Sequence, residues 1–322
     1  MLLVALGLFI EQNKKETSLS RKKILNNLLI NSDETGDQRY KLILTQNDKG
    51  TFIDIIEDRE LQNPVSNKIV ENYNYFLSEL KKCKLDPLQI YDAIGKLMIG
   101  EIALDQNDNP QLIFESLNST GLDLSQSDLI RNFILMDLDP EDQAKLYQTY
   151  WFPMEKRFAA DEYSQKFDRF MRDYLTIKTS GNIPKMKEVY DEFKKHVSCT
   201  NKFDKYAVVE DVNYYFKYFA KLALLDNAGE QVAPILGDIN ALKVDVAYPF
   251  LLQLYDDCSK NLLNQEEFIE ILKLVESYVF RRAICGIPTN SLNKTFATLS
   301  KELIKDKEHY LESFKAALIL KP

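Results

Sequence analysis

Residues 111–136 read QLIFESLNSTGLDLSQSDLIRNFILM, the densest run of polar residues with assignable local roles in the chain. Phe114-Glu115-Ser116-Leu117-Asn118 reads as the last turns of a short helix, and Asn118-Ser119-Thr120-Gly121 as its end, because Asn and Gly tolerate the left-handed conformation that stops a helix. Ser125-Gln126-Ser127-Asp128 then precedes the apolar run Leu129, Ile130, Phe133, Ile134. This spacing predicts a capping box: the Ser125 hydroxyl accepts from the Asp128 amide while Asp128 reaches back to the Ser125 amide, by a shorter arm than the usual Glu. Arg131 lies one turn after Asp128 and can pair with it along the helix. A helix end, an Asn/Gly loop and a new helix N-terminus are thus predicted close together. Such a terminus presents free amides and positive potential, which favour phosphate. Asp128 competes for those amides unless it is held in its cap or paired to Arg131. The candidate polar site, suited to an anion such as phosphate, is Glu115, Asn118, Gly121, Asp128, Arg131 and Asn132. The alternative for each is structural: a solvated carboxylate, a helix stop, a cap and its partner.

Outward from that stretch, 322 residues with 45% hydrophobic content can bury a sizeable core and suggest two domains. The formal charge of −8 excludes a surface that grips nucleic acid everywhere. DNA contact is confined to local patches, Arg21-Lys22-Lys23, Lys81-Lys82-Cys83-Lys84 or Arg281-Arg282, of which the first two read as solvated helix faces. The cysteines (Cys83, Cys199, Cys258, Cys285) are isolated and only His196 and His309 accompany them, so no metal site is expected and reduced cytosolic thiols are the default. Met1–Ile10 is apolar but too short to span a membrane and lacks a basic flank or cleavage site; a buried helix is expected, with no membrane partner.

FESLNSTGLDLSQSDLIRN resembles the signature F-E-x-L-N-x-x-G-x-x-L-x-x-x-D-L-I-R-N of GmrSD-type, modification-dependent (type IV) restriction endonucleases, in their GmrS-like region. A second stretch, Tyr278–Phe296, YVFRRAICGIPTNSLNKTF, resembles the run that precedes a C-terminal His-Asn-His nuclease domain in members that carry one. The resemblance implies a ParB/sulfiredoxin-like domain whose nucleotide-hydrolysing site is built on an Asp-Gly-Gln-Gln-Arg motif, with Glu115 holding a metal or orienting a water and Asn118 bonding a phosphate or base. It implies a nucleoside triphosphate with a divalent metal as cofactor, modified DNA as partner, and a cytoplasmic defence role in the full-length protein. This sequence holds neither the Asp-Gly-Gln-Gln-Arg nor the nuclease motif, so the chain alone is expected to be inactive. Gly36-Asp37-Gln38-Arg39 has the wrong order for the former and reads as a turn.

Periodicity fills in the rest. Helices are expected over Ser20–Ile30, Asp48–Ile56, Pro64–Leu80 and from Pro87, with strands at Tyr40–Thr45 and Leu97–Leu104. Beyond Pro140 helical spacing dominates: Glu141–Ala160 with a bend at Pro153, Glu162–Ile177, a break at Gly181-Asn182-Ile183-Pro184, and faces such as Val209, Val212, Phe216, Phe219 and Phe268, Ile271, Leu272, Val275, Val279 ending at Gly286. The expected fold is mainly α: residues 1–139 form an α+β portion with a small sheet, the remnant of the ParB/sulfiredoxin-like domain, and residues 140–322 an all-helical bundle. The aromatics Tyr214, Tyr215, Phe216, Tyr218 and Phe219 are assigned to packing rather than base stacking. Arg281, Arg282 and Asn290 can meet phosphate or serve as structural caps. No catalytic residue is assigned, because no phosphate loop, nucleophile elbow or zinc-protease motif occurs. Two functional classes remain: part of a DNA-modification-dependent restriction protein, or a non-catalytic helical interaction or regulatory scaffold.

Overall fold

The structure, a computed structural model, describes residues 1–13, 18–44, 46–61, 67–101, 113, 124–136, 138–158, 162–198 and 204–321. The chain divides into two compact units, Met1–Leu104 and Asp105–Pro322.

The first unit is built on α1 (Leu2–Asn13), with α2 (Arg21–Ile24), α3 (Gln46–Ile56), α4 (Asn67–Lys82) and α5 (Pro87–Ile94). The apolar N-terminal run forms α1, as its composition requires, and packs chiefly on α4 with α2 and α5 beside it. Val4, Ala5, Leu6 and Ile10 are buried. Asp86 caps α5 through the Leu88 amide, and Pro87 occupies the first turn, where its missing N–H costs nothing. Gly36–Arg39 is a single 3-10 turn, as its reading predicted.

The small sheet is not there: among the described residues no strand forms. Tyr40 makes one antiparallel bridge with Ile30, closed by the Lys41 amide on the Leu29 carbonyl at 3.0 Å and the Asn31 amide on the Arg39 carbonyl at 2.7 Å. It stops at once because Leu25–Leu29 is a π-helical turn, so no extended segment lies alongside to continue a ladder. The described part of the second candidate fares no better. Leu97, Met98 and Ile99 are irregular and stand in solvent, at 72%, 98% and 91% exposure, and among the described residues no strand pairs with them. β-Propensity reports a fit to a half-buried pleated surface, and neither segment has one. Residues 102–104 lie outside the described residues.

The second unit is helical throughout its described residues: α6 (Gln126–Leu135), α7 (Pro140–Leu146), α8 (Phe152–Glu155), α9 (Tyr163–Lys178), α10 (Val189–Ser198), α11 (Lys205–Ala223), α12 (Ala233–Ala241), α13 (Tyr248–Ser259), α14 (Gln265–Ile284), α15 (Leu292–Leu299) and α16 (Tyr310–Ile319). The expected bend near Pro153 is a π-helical turn, Tyr147–Trp151, between α7 and α8. Proline has no N–H for the preceding turn, and the wider turn absorbs the missing bond. Helix α9 packs against α6, α10, α11 and α13. Its Phe167 and Phe170 meet Trp151, Phe158, Phe216 and Phe219 in an aromatic centre, with ring centroids 5.1–5.9 Å apart. Each such pair adds about 0.5–1.5 kcal/mol beyond area burial. The faces read from sequence on α11 and α14 are buried.

Gly181 terminates α9. Its φ is +81°, its amide bonds the Thr176 carbonyl at 2.7 Å, and a Cβ there would lie 2.6 Å from the Ala297 carbonyl oxygen of α15. Both the backbone conformation and the close approach demand glycine. Gly181→Ala is expected to destabilise the fold by about 2 kcal/mol or more, read as a lower urea midpoint; an unchanged midpoint would show that the α9–α15 approach is slack.

Candidate functional site

The described half of the signature stretch forms the entry to α6. Ser125 is the N-cap: its Oγ accepts from the Asp128 amide at 3.1 Å. The return contact is hydroxyl to carboxylate, Ser125 Oγ donating to Asp128 Oδ2 at 2.7 Å, rather than carboxylate to the Ser125 amide; the short Asp arm reaches the nearer hydroxyl. Asp128 also pairs with Arg131 at 3.0 Å, so it is held as the spacing predicted.

The free amides of this helix N-terminus are occupied from within the protein. Asp168, on α9, accepts from the Gln126 amide at 3.1 Å, the Ser127 amide at 2.7 Å and the Ser127 hydroxyl at 2.7 Å. A carboxylate therefore sits where a phosphate would bind, satisfying donors that helix geometry leaves orphaned. Burial outweighs these hydrogen bonds and pushes the Asp168 carboxyl above its ordinary range. Gln126 adds a second tie, its Oε1 accepting the Tyr190 amide of α10 at 2.9 Å.

Arg131 is engaged on both sides. Besides Asp128 it donates to Glu155 Oε1 at 2.7 Å. Glu155, on α8, also accepts from Tyr163 at 3.2 Å and Tyr147 at 2.8 Å. Burial pulls the Arg131 guanidinium down, but the Glu155 hydrogen bond and the Asp128 charge outweigh it and hold it above its ordinary value. Burial, then the Glu155 charge, raise the Tyr163 hydroxyl. Asn132 is half-buried on the same helix, its carbonyl accepting the Met136 amide at 2.8 Å. Asp128, Arg131 and Asn132 are thus brought together on α6, while Glu115, Asn118 and Gly121 lie outside the described residues.

The downstream motif splits. Arg281 is exposed, whereas Arg282 is 5% exposed. Arg282 donates to the Pro288 carbonyl at 2.9 Å, Ser291 Oγ at 3.1 Å and the Tyr278 hydroxyl at 3.3 Å, holding the turn after α14. Asn290 belongs to that turn, Thr289–Ser291. The aromatic cluster on α11 packs inward: Phe216 and Phe219 are buried, and Tyr214 and Tyr215 donate to the buried Asp256 at 3.0 and 3.3 Å. Asp257 beside it accepts from Tyr310 at 2.7 Å and Lys305 at 3.1 Å.

Sequence reasoning missed Asp168 and Glu155. The available signal was composition on an expected helix: Asp168 stands amid the aromatic-rich face of α9, and a carboxylate there needs a partner.

With that geometry established, one comparison decides the kinship. Residues 3–135 match the family described as GmrSD restriction endonuclease, N-terminal domain. These residues are a GmrSD-type N-terminal domain. Over that stretch the chain is similar to the N-terminal domain of that family. No curated protein and no solved structure matches the chain. The GmrSD region ends at residue 135, the last residue of α6, so it includes the signature helix whose Ile130 and Ile134 are buried in the core of the second unit. Among the described residues, no helix is long and apolar enough to cross a membrane.

Two outcomes follow from α9. Asp168→Ala removes the acceptor for three donors and is expected to cost about 2 kcal/mol, with Asp168→Asn costing less because its amide oxygen still accepts; equal unfolding midpoints for the wild type and Asp168→Ala would remove this cap from the account. Asp173, 2% exposed beside Arg169, is pushed by burial from 3.8 up to about 7 despite that arginine. The folded state then holds a proton that the unfolded chain has lost. This contribution is full below 3.8 and fades as pH rises toward 7. Asp173→Asn should flatten the fall in stability across that window, measured as urea midpoints at successive pH values; parallel wild-type and variant curves would show that Asp173 does not titrate there.

Proposed function

We propose that the chain is part of a modification-dependent restriction protein: a nucleotide-dependent sensor of modified DNA coupled to a nuclease domain. The GmrSD match over residues 3–135 carries this reading. On it, residues 1–139 are the C-terminal portion of the GmrS-like domain, and residues 140–322 the helical domain that precedes the nuclease. Glu115, Asn118 and Gly121 form one wall of the nucleotide site, with Glu115 toward a divalent metal or water and Asn118 toward phosphate or base. Asp128 and Arg131 support that wall from α6, since each is already paired. Such a protein acts on invading DNA in the cytoplasm.

A second reading, a helical scaffold without chemistry, has one observation in its favour. The α6 amides and Arg131, the groups of the signature helix suited to an anion, are satisfied by Asp168 and Glu155. The reading frame around this segment separates the two: extension into Asp-Gly-Gln-Gln-Arg upstream and a His-Asn-His motif downstream supports restriction and sinks the scaffold. For the protein so extended, cleavage of modified but not unmodified DNA is expected only with a nucleoside triphosphate, and Glu115→Ala should lower it at least about tenfold, roughly the loss from removing one catalytic contact. The 322-residue chain by itself should show no nucleotide turnover; turnover that survives repurification and vanishes in Glu115→Ala would overturn that assignment.

A further inference from the structure

A cavity of about 420 Å³ opens beside α9, away from the α6 cap. One wall is Lys166, Arg169 and Arg172, spaced three residues apart and so on one helix face. Phe219 and Tyr248, both buried, form an apolar floor, and Asp245 lies at the rim. Lys166 pairs with exposed Glu162 at 2.7 Å. Arg169 divides itself between Asp173, at 3.2 Å, and Asp245, at 2.7 Å. Arg172 differs from both. Its Nε donates to the Pro184 carbonyl at 2.8 Å, and among the described residues no carboxylate lies within ion-pair distance.

A half-buried guanidinium beside another cation, with the charges of Asp173 and Asp245 near it but not paired to it, is only partly compensated. Burial, then repulsion from Arg169, lower its affinity for its own proton. Pro184 fixes one edge of its plane, and Pro184 follows the turn that Gly181 locks against α15. The remaining N–H groups are thereby pre-oriented as a fork, the geometry that suits phosphate oxygens. Lys166 adds a point charge nearly two turns back along the wall, beyond Arg169. The volume falls within the range of small-molecule sites, and the aromatic floor can accept a ring. A net charge of −8 and a concave site disfavour an extended nucleic-acid backbone.

We propose that this cavity binds the phosphate group of a small phosphorylated molecule, through Arg172 and Lys166 with Arg169 between them. The proposal is independent of the restriction reading. The test is isothermal titration of the purified chain with inorganic pyrophosphate and, separately, with AMP. At least one is expected to bind, and Lys166→Ala and Arg172→Met should each weaken it about tenfold, the loss of roughly one charge-assisted contact. Lys217→Ala, outside the cavity, should leave the affinity unchanged. Tighter AMP than pyrophosphate would assign the floor to a base; the reverse would assign the cavity to a free polyphosphate. Should Arg172→Met fail to fold, Arg172→Lys, which keeps the charge but loses the fork, takes its place beside Lys166→Ala. No heat from either ligand at millimolar concentration, affinity unchanged in Lys166→Ala, or binding of duplex DNA alone would overturn the proposal.

Discussion

The carboxylate of Asp168 against the first amides of α6 is the contact from which the order of the second unit follows. A helix N-terminus leaves donors that must be satisfied when buried, and water is excluded here because Ser127 is fully covered. Supplying the acceptor from α9 fixes the two helices in register. Ile130 and Ile134 then enter the core on one side, and Phe167 and Phe170 enter it on the other. Arg169 and Arg172 of α9 turn toward the remaining flank, where the cavity lies. One helix thus caps, packs and presents charge, because successive residues at 100° intervals face three different neighbours.

Glu155 and Asp256 are each met by several donors, some from distant helices, whereas the buried Asp173 meets Arg169 of its own helix. Glu155 gathers Arg131, Tyr147 and Tyr163. Asp256 gathers Tyr214, Tyr215, Gln253 and Lys260. A buried ion lacking such partners would cost several kcal/mol, so these networks specify which helices adjoin. This explains why the tyrosines of α11 are structural. Tyr214 and Tyr215 spend their hydroxyls on Asp256, and Tyr218 donates to Tyr214, so the cluster is tied into the fold rather than left free for a nucleic-acid base.

What could be read in the sequence was local. The Ser125 cap, the Asp128–Arg131 pair, the buried faces of α11 and α14 and the glycine stop at Gly286, with φ +63°, each depend on residues within a few turns. What could not be read depends on partners far along the chain. Asp168 bonds a residue 41 positions away, and Arg131 meets Glu155 across 24. The strand expectations at Tyr40 and Leu97 failed for the same reason. A strand exists only if a second extended segment adjoins it, and in Leu25–Leu29 a π-helical turn takes that place. Of the candidate site, Asp128, Arg131 and Asn132 make up the α6 half.

That half tells against a uniform role for the signature. Its second part, from Ser125 to Asn132, uses its charged groups on itself: Asp128 on Ser125 and Arg131, Arg131 on Glu155, and the helix amides on Asp168. Any ligand there would have to displace a carboxylate already held by three donors, and a phosphate would gain no donor that Asp168 does not already use. The cationic groups of the second unit are therefore of two kinds. Those at α6 are closed by internal anions and serve the fold. On α9, Arg172 is positioned by a backbone carbonyl, which orients a guanidinium without neutralising it. Arg282 is held by a carbonyl too, but Ser291 and Tyr278 take further donors of its guanidinium, whereas Arg172 lines the cavity, where an external anion can reach it.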